Sequence, residues 1–291
     1  MMKFRTELRF EPSDWKIAAD DKLLFIGSCF SDEIGGCLAQ RGFDISVNPF
    51  GPLYNPLSIL NCIERALERR LYDETDLTEG PRGYHCLDYA TRFSGANAGI
   101  ILDDINRRLE DLAQRISDGA VVFVTLGTSY IYELADSGRI VGNCHKFPAS
   151  CFRRRRIDVA EASDALKSLT HLLKDNGARK VVFTVSPIRH LADGFHENTI
   201  SKATLHLAVD HVCAAEPDIA GYFPSYEIVM DDLRDYRAYA DDLVHVSTQG
   251  VAYIYEKFEE YFFTAATRNA VALARKKFLA SQHRQILEKN D

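Results

Sequence analysis

Four short apolar runs punctuate the chain at 23–26, 120–126, 180–185 and, more weakly, 219–223, with a fifth and shorter one at 44–47. Two are rich in valine, which suits strands covered on both faces. Between the runs, apolar residues recur at three and four, predicting helices over 31–41, 56–71, 100–118, 159–176 and 200–216. In 159–176, Leu166, Leu169, Leu172 and Leu173 share a face while Lys167, Lys174 and Asp175 take others. Strand alternating with helix predicts a mainly parallel sheet wrapped by helices. Segments 131–133 and 139–141 flank Ala-Asp-Ser-Gly and predict a hairpin inserted after the third strand.

From Gly250 onward the pattern is helical, with Tyr253, Phe258, Tyr261 and Phe262 followed by a basic stretch around Arg275, Lys276 and Lys277. It predicts a long amphipathic helix or helix pair, packed on the domain or on a second copy of the chain. The expected organisation is one domain over 1–263 and a helical extension over 264–291. The four-arginine run at 153–156 reads as a solvated loop or helix start in preference to an anion site.

With 291 residues, 46% hydrophobic and 26% charged, the chain has ordinary globular composition. Its net charge of −7 disfavours phosphate backbones and anionic membrane surfaces, so neither nucleic acid nor membrane is an expected partner. No basic segment leads into an apolar stretch at the N-terminus, and no run is apolar enough to span a bilayer. Seven cysteines, an odd number at scattered positions, read as reduced thiols and point to the cytoplasm. Without a Cys-x-x-Cys or His-x-x-x-His spacing, no metal site is expected, and no cofactor motif is present.

Chemistry collects after the strands. The first strand ends in Gly27-Ser28-Cys29-Phe30 and runs directly into a helix. A serine at such a turn exposes its hydroxyl at the sheet's carboxyl edge, with the N–H of Cys29 placed to meet a developing oxyanion, although Gly-Ser also opens helices as a plain cap. Asp242 and His245, three apart, can act as one unit in which the carboxylate fixes the tautomer of the base. Asn48 to Gly51 follow the second strand, Gly127 and Thr128 the third, and Arg189 and His190 the fourth. Ligands of open parallel sheets sit at that edge. A thiol nucleophile at Cys29 would have to take the serine's place at the turn.

The run GSCF at 27–30 resembles the signature of the GSCFA proteins, a bacterial family related to the SGNH (GDSL-like) hydrolases. The resemblance continues through NPFGPLYNP (48–56), TLGTSYIYE (125–133), TVSPIRH (184–190), SKATL (201–205), YFPSYEI (222–228) and DDLVHVS (241–247). It covers about 24–258 and implies a flavodoxin-like three-layer α/β/α sandwich with a five-stranded sheet. It also implies Ser28 as nucleophile, Asp242 and His245 as orienter and base, and Gly51 beside Cys29 in the oxyanion hole. SGNH hydrolases carry Gly-x-Asn-Asp in their third block, where this chain has Gly127-Thr128-Ser129-Tyr130. Asn55, Asn143 and His145 are the expected replacements for the missing asparagine donor. The expected function is a serine-dependent ester hydrolase or O-acyltransferase acting on a small-molecule or carbohydrate ester, with Gly127, Thr128, Asn143, His145, Arg189 and His190 against the substrate. The alternative is a catalytically silent carbohydrate- or nucleotide-binding module on the same fold.

Overall fold

The computed structural model describes residues 5–80 and 83–288, with side chains as far as residue 281. Its centre is a five-stranded sheet of β1 (Lys22–Gly27), β2 (Asp44–Val47), β3 (Val121–Leu126), β4 (Lys180–Val185) and β5 (Ala220–Tyr222). Their order is β5-β4-β3-β1-β2, and every pairing is parallel. The chain moves outward in both directions from β1 and β3, and the carboxyl edge where the order reverses is where ligands of such sheets bind.

Alternation along the strands divides the interior into two cores. Leu24 and Ile26 of β1, with Val122 and Val124 of β3 and Val181, Phe183 and Val185 of β4, face α2 (Pro56–Leu67), α3 (Ala98–Ser117), α4 (Val159–Asp175) and α5 (Phe195–Ala215). Leu23 and Phe25, with Val121, Phe123 and Val182, face α1 (Phe30–Ala39) and α7 (Thr248–Phe262). The intervening one-turn α6 (Ser225–Glu227) runs into a π-helical turn, Ile228–Leu233. Helices thus cover both faces of the sheet, and the inner strands β1, β3 and β4 are apolar on both.

Local chemistry sets the helix starts. Asn55 caps α2 by accepting from the Ser58 N–H, with Pro56 at the first helical position. Asp158 and Ser247 cap α4 and α7 in the same way. The helix α5 begins at Phe195, five residues earlier than its apolar period indicates, because its first turn lies at the surface with Phe195 exposed.

The inserted hairpin forms from Tyr130–Leu134 and Ile140–Val141, but a third strand, Phe152–Arg156, pairs antiparallel with its first. The four arginines are therefore a strand and not a loop or helix start. Arg153 and Arg155 bind Glu133, Arg155 also binds Glu161, Arg154 binds Asp193 and Arg156 binds Glu197. A second small sheet of Thr78–Gly80, Gly83–His85 and Ser94–Gly95 has strands too short to leave a period in the sequence.

The C-terminal pattern resolves into a pair, α7 and α8 (Ala265–Glu288); residues 289–291 of the expected extension lie outside the described residues. Through residue 281, α8 buries only Thr267 and Val271, leaves Leu273 and Leu279 exposed, and so is not amphipathic as expected. Its first turns lie on its own domain, where the Thr267 hydroxyl donates to Ile17 O at 2.8 Å. All seven cysteines are free thiols, and no helix among the described residues is long and apolar enough to cross a membrane.

Candidate active site

The turn after β1 is built around Gly27. Its φ is +138°, and a methyl group there would lie 2.1 Å from Thr125 O, so only glycine lets β1 leave β3 this abruptly. The Gly27 N–H donates to Asn48 Oδ1 at 2.9 Å, and Asn48 Nδ2 donates to Ser28 O at 3.3 Å. Buried Asn48, itself at φ +39°, thereby pins both residues of the turn. Ser28 N–H donates to Thr125 O at 2.9 Å, and its Oγ accepts from the Phe30 N–H at 3.3 Å. The nucleophile candidate is thus fixed at the mouth of α1 and only 2% exposed. Burial, with Asp32 adding to it, raises the pKa of the neighbouring Cys29, which favours the neutral thiol over the nucleophilic thiolate.

Gly127, just past β3, faces this serine. A methyl group on it would sit 3.3 Å from Ser28 Cβ, 3.3 Å from His190 Nε2 and 3.0 Å from the Tyr54 ring. Ser28 Cβ and the imidazole nitrogen therefore lie within about twice that distance of each other, both against the bare face of Gly127. Tyr54 meets the His190 ring edge to face, 5.6 Å between centroids. The Gly127 and Thr128 N–H groups both donate to Tyr54 O, at 2.8 and 3.0 Å. Thr128 Oγ1 lies 3.1 Å from Ser201 Oγ, so Thr128 is a buried structural residue here.

Beneath Gly127 lies Lys202 of α5, a residue to which the sequence pattern assigns no role although it belongs to the SKATL run. Its Nζ donates to Gly127 O at 2.6 Å and to Ser186 O at 2.7 Å, tying the ends of β3 and β4 together. Burial pulls its pKa down to about 7, against a small opposing effect from Cys29. A neutral amine has two N–H donors, matching its two carbonyl partners. The signal in the sequence is a lysine amid the apolar and small residues of an otherwise buried helical face, since lysine is almost never fully buried without a special partner.

His190 reaches the gap from the loop after β4, where its backbone N–H donates to Asn198 Oδ1 at 3.0 Å. Burial, then the nearby Lys202 cation and Arg154, pull its pKa down to about 4, with Asp193 opposing. Arg189 packs over the Tyr239 ring at 5.5 Å and touches Met230 Sδ at 3.9 Å. Among the described residues no carboxylate pairs with it, which removes the structural ion pair as its explanation.

Asp242 and His245 sit in a tight loop closed by a bridge between Tyr239 and Val246. Asp242 Oδ1 accepts from the Val244 and His245 N–H groups at 2.9 Å each, while Oδ2 meets His245 Nδ1 at 2.5 Å. The hydrogen bonds from His245 and these N–H groups pull the Asp242 pKa down to about 2. With Nδ1 held by the carboxylate, Nε2 is the ring atom left to act outward. The loop's position follows from α7. That helix ends where Ile17, ahead of β1, donates to Phe262 O at 3.0 Å, so its C-terminus lies at the amino edge of the sheet. Its start, and the loop before it, lie some 22 Å away toward the carboxyl edge.

Four residues expected at the oxyanion have other partners. Gly51 N–H closes a turn onto Asn48 O at 2.8 Å, with φ +80° and Ala90 packed against its Cα. Asn55 uses Oδ1 on the Ser58 N–H and Nδ2 on Ser58 Oγ, the work of a helix cap. Asn143 Oδ1 accepts from the His145 N–H, and His145 Nε2 lies 2.9 Å from Tyr89 O, its ring buried edge to face on His85. Asn143 and His145 thus brace the segment 85–89, not Ser28. Among the described residues, no cluster of His, Cys, Asp and Glu is arranged to hold a metal ion.

Comparison with curated proteins yields no match. The GSCFA family model, by contrast, matches residues 22–258, from the first residue of β1 into α7. The turn that fixes Ser28, the Gly127 face, Lys202 and the Asp242–His245 loop all fall inside that span, and the chain belongs to the GSCFA family.

Proposed function

We propose that the protein is a serine-dependent ester hydrolase or O-acyltransferase of SGNH type. Ser28 Oγ attacks the ester carbonyl carbon, the carbonyl π pair moves onto oxygen, and the serine proton passes to His245 Nε2. Collapse of the tetrahedral intermediate expels the alcohol, which takes that proton from the imidazolium, and leaves an acyl group on Ser28. Water or an acceptor hydroxyl then repeats the sequence in reverse. The observation that carries this reading is the Asp242–His245 pair at 2.5 Å, whose backbone-clamped carboxylate fixes the imidazole with Nε2 outward in the loop before α7.

Arg189, a half-buried cation stacked on Tyr239 and without a carboxylate partner among the described residues, supports a substrate that is anionic or rich in hydroxyls. The catalytically silent binding module keeps one specific observation in its favour: Ser28 Oγ accepts from the Phe30 N–H as a helix cap would. Hydrolysis of p-nitrophenyl acetate by the wild type and by Ser28→Ala decides between them. Acyl chemistry requires turnover that disappears with the serine hydroxyl; equal rates in the two proteins would leave the binding module.

A further inference from the structure

Gly51, Asn55 and His145 direct their hydrogen bonds elsewhere, and Asn143 is tied to the His145 and Leu87 backbone, so the oxyanion formed at Ser28 still needs a side-chain donor. Such a donor must lie near Ser28, carry an N–H or O–H, and stay un-ionised beside a developing negative charge without being consumed by the fold. Two side chains at the Gly127 face carry such a donor, the Tyr54 phenol and the His190 imidazole, and of the two His190 turns its ring nitrogen to that face while Tyr54 turns a ring carbon to it. We propose that His190, as a neutral imidazole donating from Nε2, is the side-chain donor of the oxyanion hole, held in place by Lys202 as a positioning residue. The proposal rests on the acyl-transfer reading of Ser28 and assigns that same site its missing part.

Geometry comes first. His190 Nε2 and Ser28 Cβ each come within 3.3 Å of the position a Cβ of residue 127 would take, so both pack against the bare face of Gly127. A carbonyl carbon bound to Ser28 Oγ, with its oxygen turned toward the imidazole, would meet Nε2 along that face. The Tyr54 ring closes one side of it and fixes the imidazole edge to face. From below, Lys202 ties Gly127 O to Ser186 O and so sets the distance between the loop that carries Gly127 and the loop that carries His190.

The charged surroundings of His190 suit a donor and not a base. Lys202 and Arg154 disfavour a proton on the ring, and Asp193, which would favour one, is bound to Arg154 at 2.5 Å. The ring stays neutral above about pH 4, so it keeps an N–H to donate but is too weakly basic to take the serine's proton near neutrality. A neutral histidine that polarises a carbonyl is a known chemical arrangement, reached elsewhere through a helix N-terminus; here burial and Lys202 supply the same effect.

The test uses the full chain with p-nitrophenyl acetate, together with phenylboronic acid, which forms a tetrahedral adduct on an activated serine. His190→Ala is expected to lower kcat about 100-fold with KM nearly unchanged, and His190→Gln, which restores an N–H donor, to recover at least tenfold of the loss. Boronate binding should weaken in parallel, and the ring ¹⁵N signals of His190 should report a neutral Nε2–H tautomer at pH 6. Lys202→Met should reduce kcat without altering its dependence on Ser28. If His190→Ala leaves kcat within threefold while Ser28→Ala abolishes turnover, the donor assignment is wrong and the acyl reading stands. If His190→Ala is as inactive as Ser28→Ala and His245→Ala is near wild type, His190 is the base and the proposal fails. Absence of both Ser28-dependent hydrolysis and a boronate adduct overturns the acyl reading itself, and the donor role with it.

Discussion

Two histidines in the loops that follow the last two strands of the sheet have opposite surroundings. His245 is about half exposed, with Nδ1 against a carboxylate that two backbone N–H groups hold in place. His190 is largely buried between Tyr54 and Gly127, and its cationic neighbours Lys202 and Arg154 outweigh the one nearby carboxylate. The first environment turns Nε2 outward with Nδ1 on the carboxylate, as the proposed base requires; the second disfavours a proton on the ring. When one fold gives two groups of the same kind such different surroundings, the difference supports different roles for them. The two buried lysines repeat the lesson. Burial works against the charge of Lys257, but its hydrogen bonds to Glu260 and Glu7 outweigh it and raise the pKa, whereas Lys202 has only carbonyl partners and falls to about 7.

The hardest test of the contrast is removal of the base. His245→Ala should lower kcat for p-nitrophenyl acetate by about 10⁴-fold, and Asp242→Asn by about 10² to 10⁴, because the carboxylate both selects the tautomer and stabilises the imidazolium. The two losses should not multiply in the double variant, since the pair acts as a unit. Steady-state rates of the three proteins check this. A His245→Ala enzyme within tenfold of wild type would break the division of roles.

Lys202 has the largest expected effect on stability. Its pKa is about 7 in the folded chain against an ordinary 10.5, so between those values the unfolded chain binds more protons than the folded one. Stability therefore rises as pH climbs from 7 to 10.5, by at most about 5 kcal/mol, as the cost of taking the proton off this lysine on folding is relieved. Lys202→Met should flatten this rise, while leaving Gly127 O and Ser186 O without their donor at a cost of roughly 1–3 kcal/mol each. Urea melts of both proteins at pH 7 and 9.5 give the comparison directly; parallel pH dependences would show that Lys202 keeps its charge.

What could be read from the sequence divides along physical lines. The strand at 180–185 ends where the pattern places it, because a doubly covered strand shows itself as a plain apolar run, and the partly exposed edge strand at 44–47 has its expected bounds as well. The serine turn and the D-x-x-H pair were equally legible, since each is a short local motif whose geometry the adjacent residues set. The oxyanion donors were not. Asn55 and Gly51 have the right chemistry in the right loop, but their hydrogen bonds go to Ser58 and Asn48 as the chain turns, and helix caps and turns compete for the groups a site would use. His190 and Ser28 come to the same face of Gly127 only through the packing of two loops that follow different strands, and Lys202 reaches Gly127 only through the docking of α5. The arginine run misled for a related reason: its carboxylate partners at 133, 161, 193 and 197 come from separate elements.

His190 has a smaller signature on the same axis. Its pKa falls from 6.5 to about 4 on folding, so its contribution is complete above pH 6.5 and is lost as pH drops toward 4, where the unfolded chain takes up a proton the folded one refuses. The effect is at most about 3 kcal/mol. In His190→Gln, the fall in stability between pH 6.5 and 4 should be shallower than in the wild type when both are unfolded by urea. Equal slopes would mean that the imidazole protonates freely in the folded state and that burial and Lys202 do not keep it neutral.

The finest adjustment comes from Arg154, which stands near His190 on the strand Phe152–Arg156 and holds Asp193. Its charge lowers the His190 pKa, but it also neutralises the carboxylate that would raise it. Replacing it by glutamine removes both effects: one cation is lost, and Asp193 is released to act on the imidazole. Both changes have the same sign, so the midpoint of His190 must move up in Arg154→Gln. Arg154 is partly exposed and solvent screens it, which limits the rise to roughly half a pH unit at moderate salt. Titration of the His190 ring by NMR should show that rise in Arg154→Gln and shrink it at about 1 M salt, while the His245 signals stay where they were. A downward movement, or an equal shift at His245, would mean that the field around His190 is not set by the Lys202, Arg154 and Asp193 charges that distinguish it from the base.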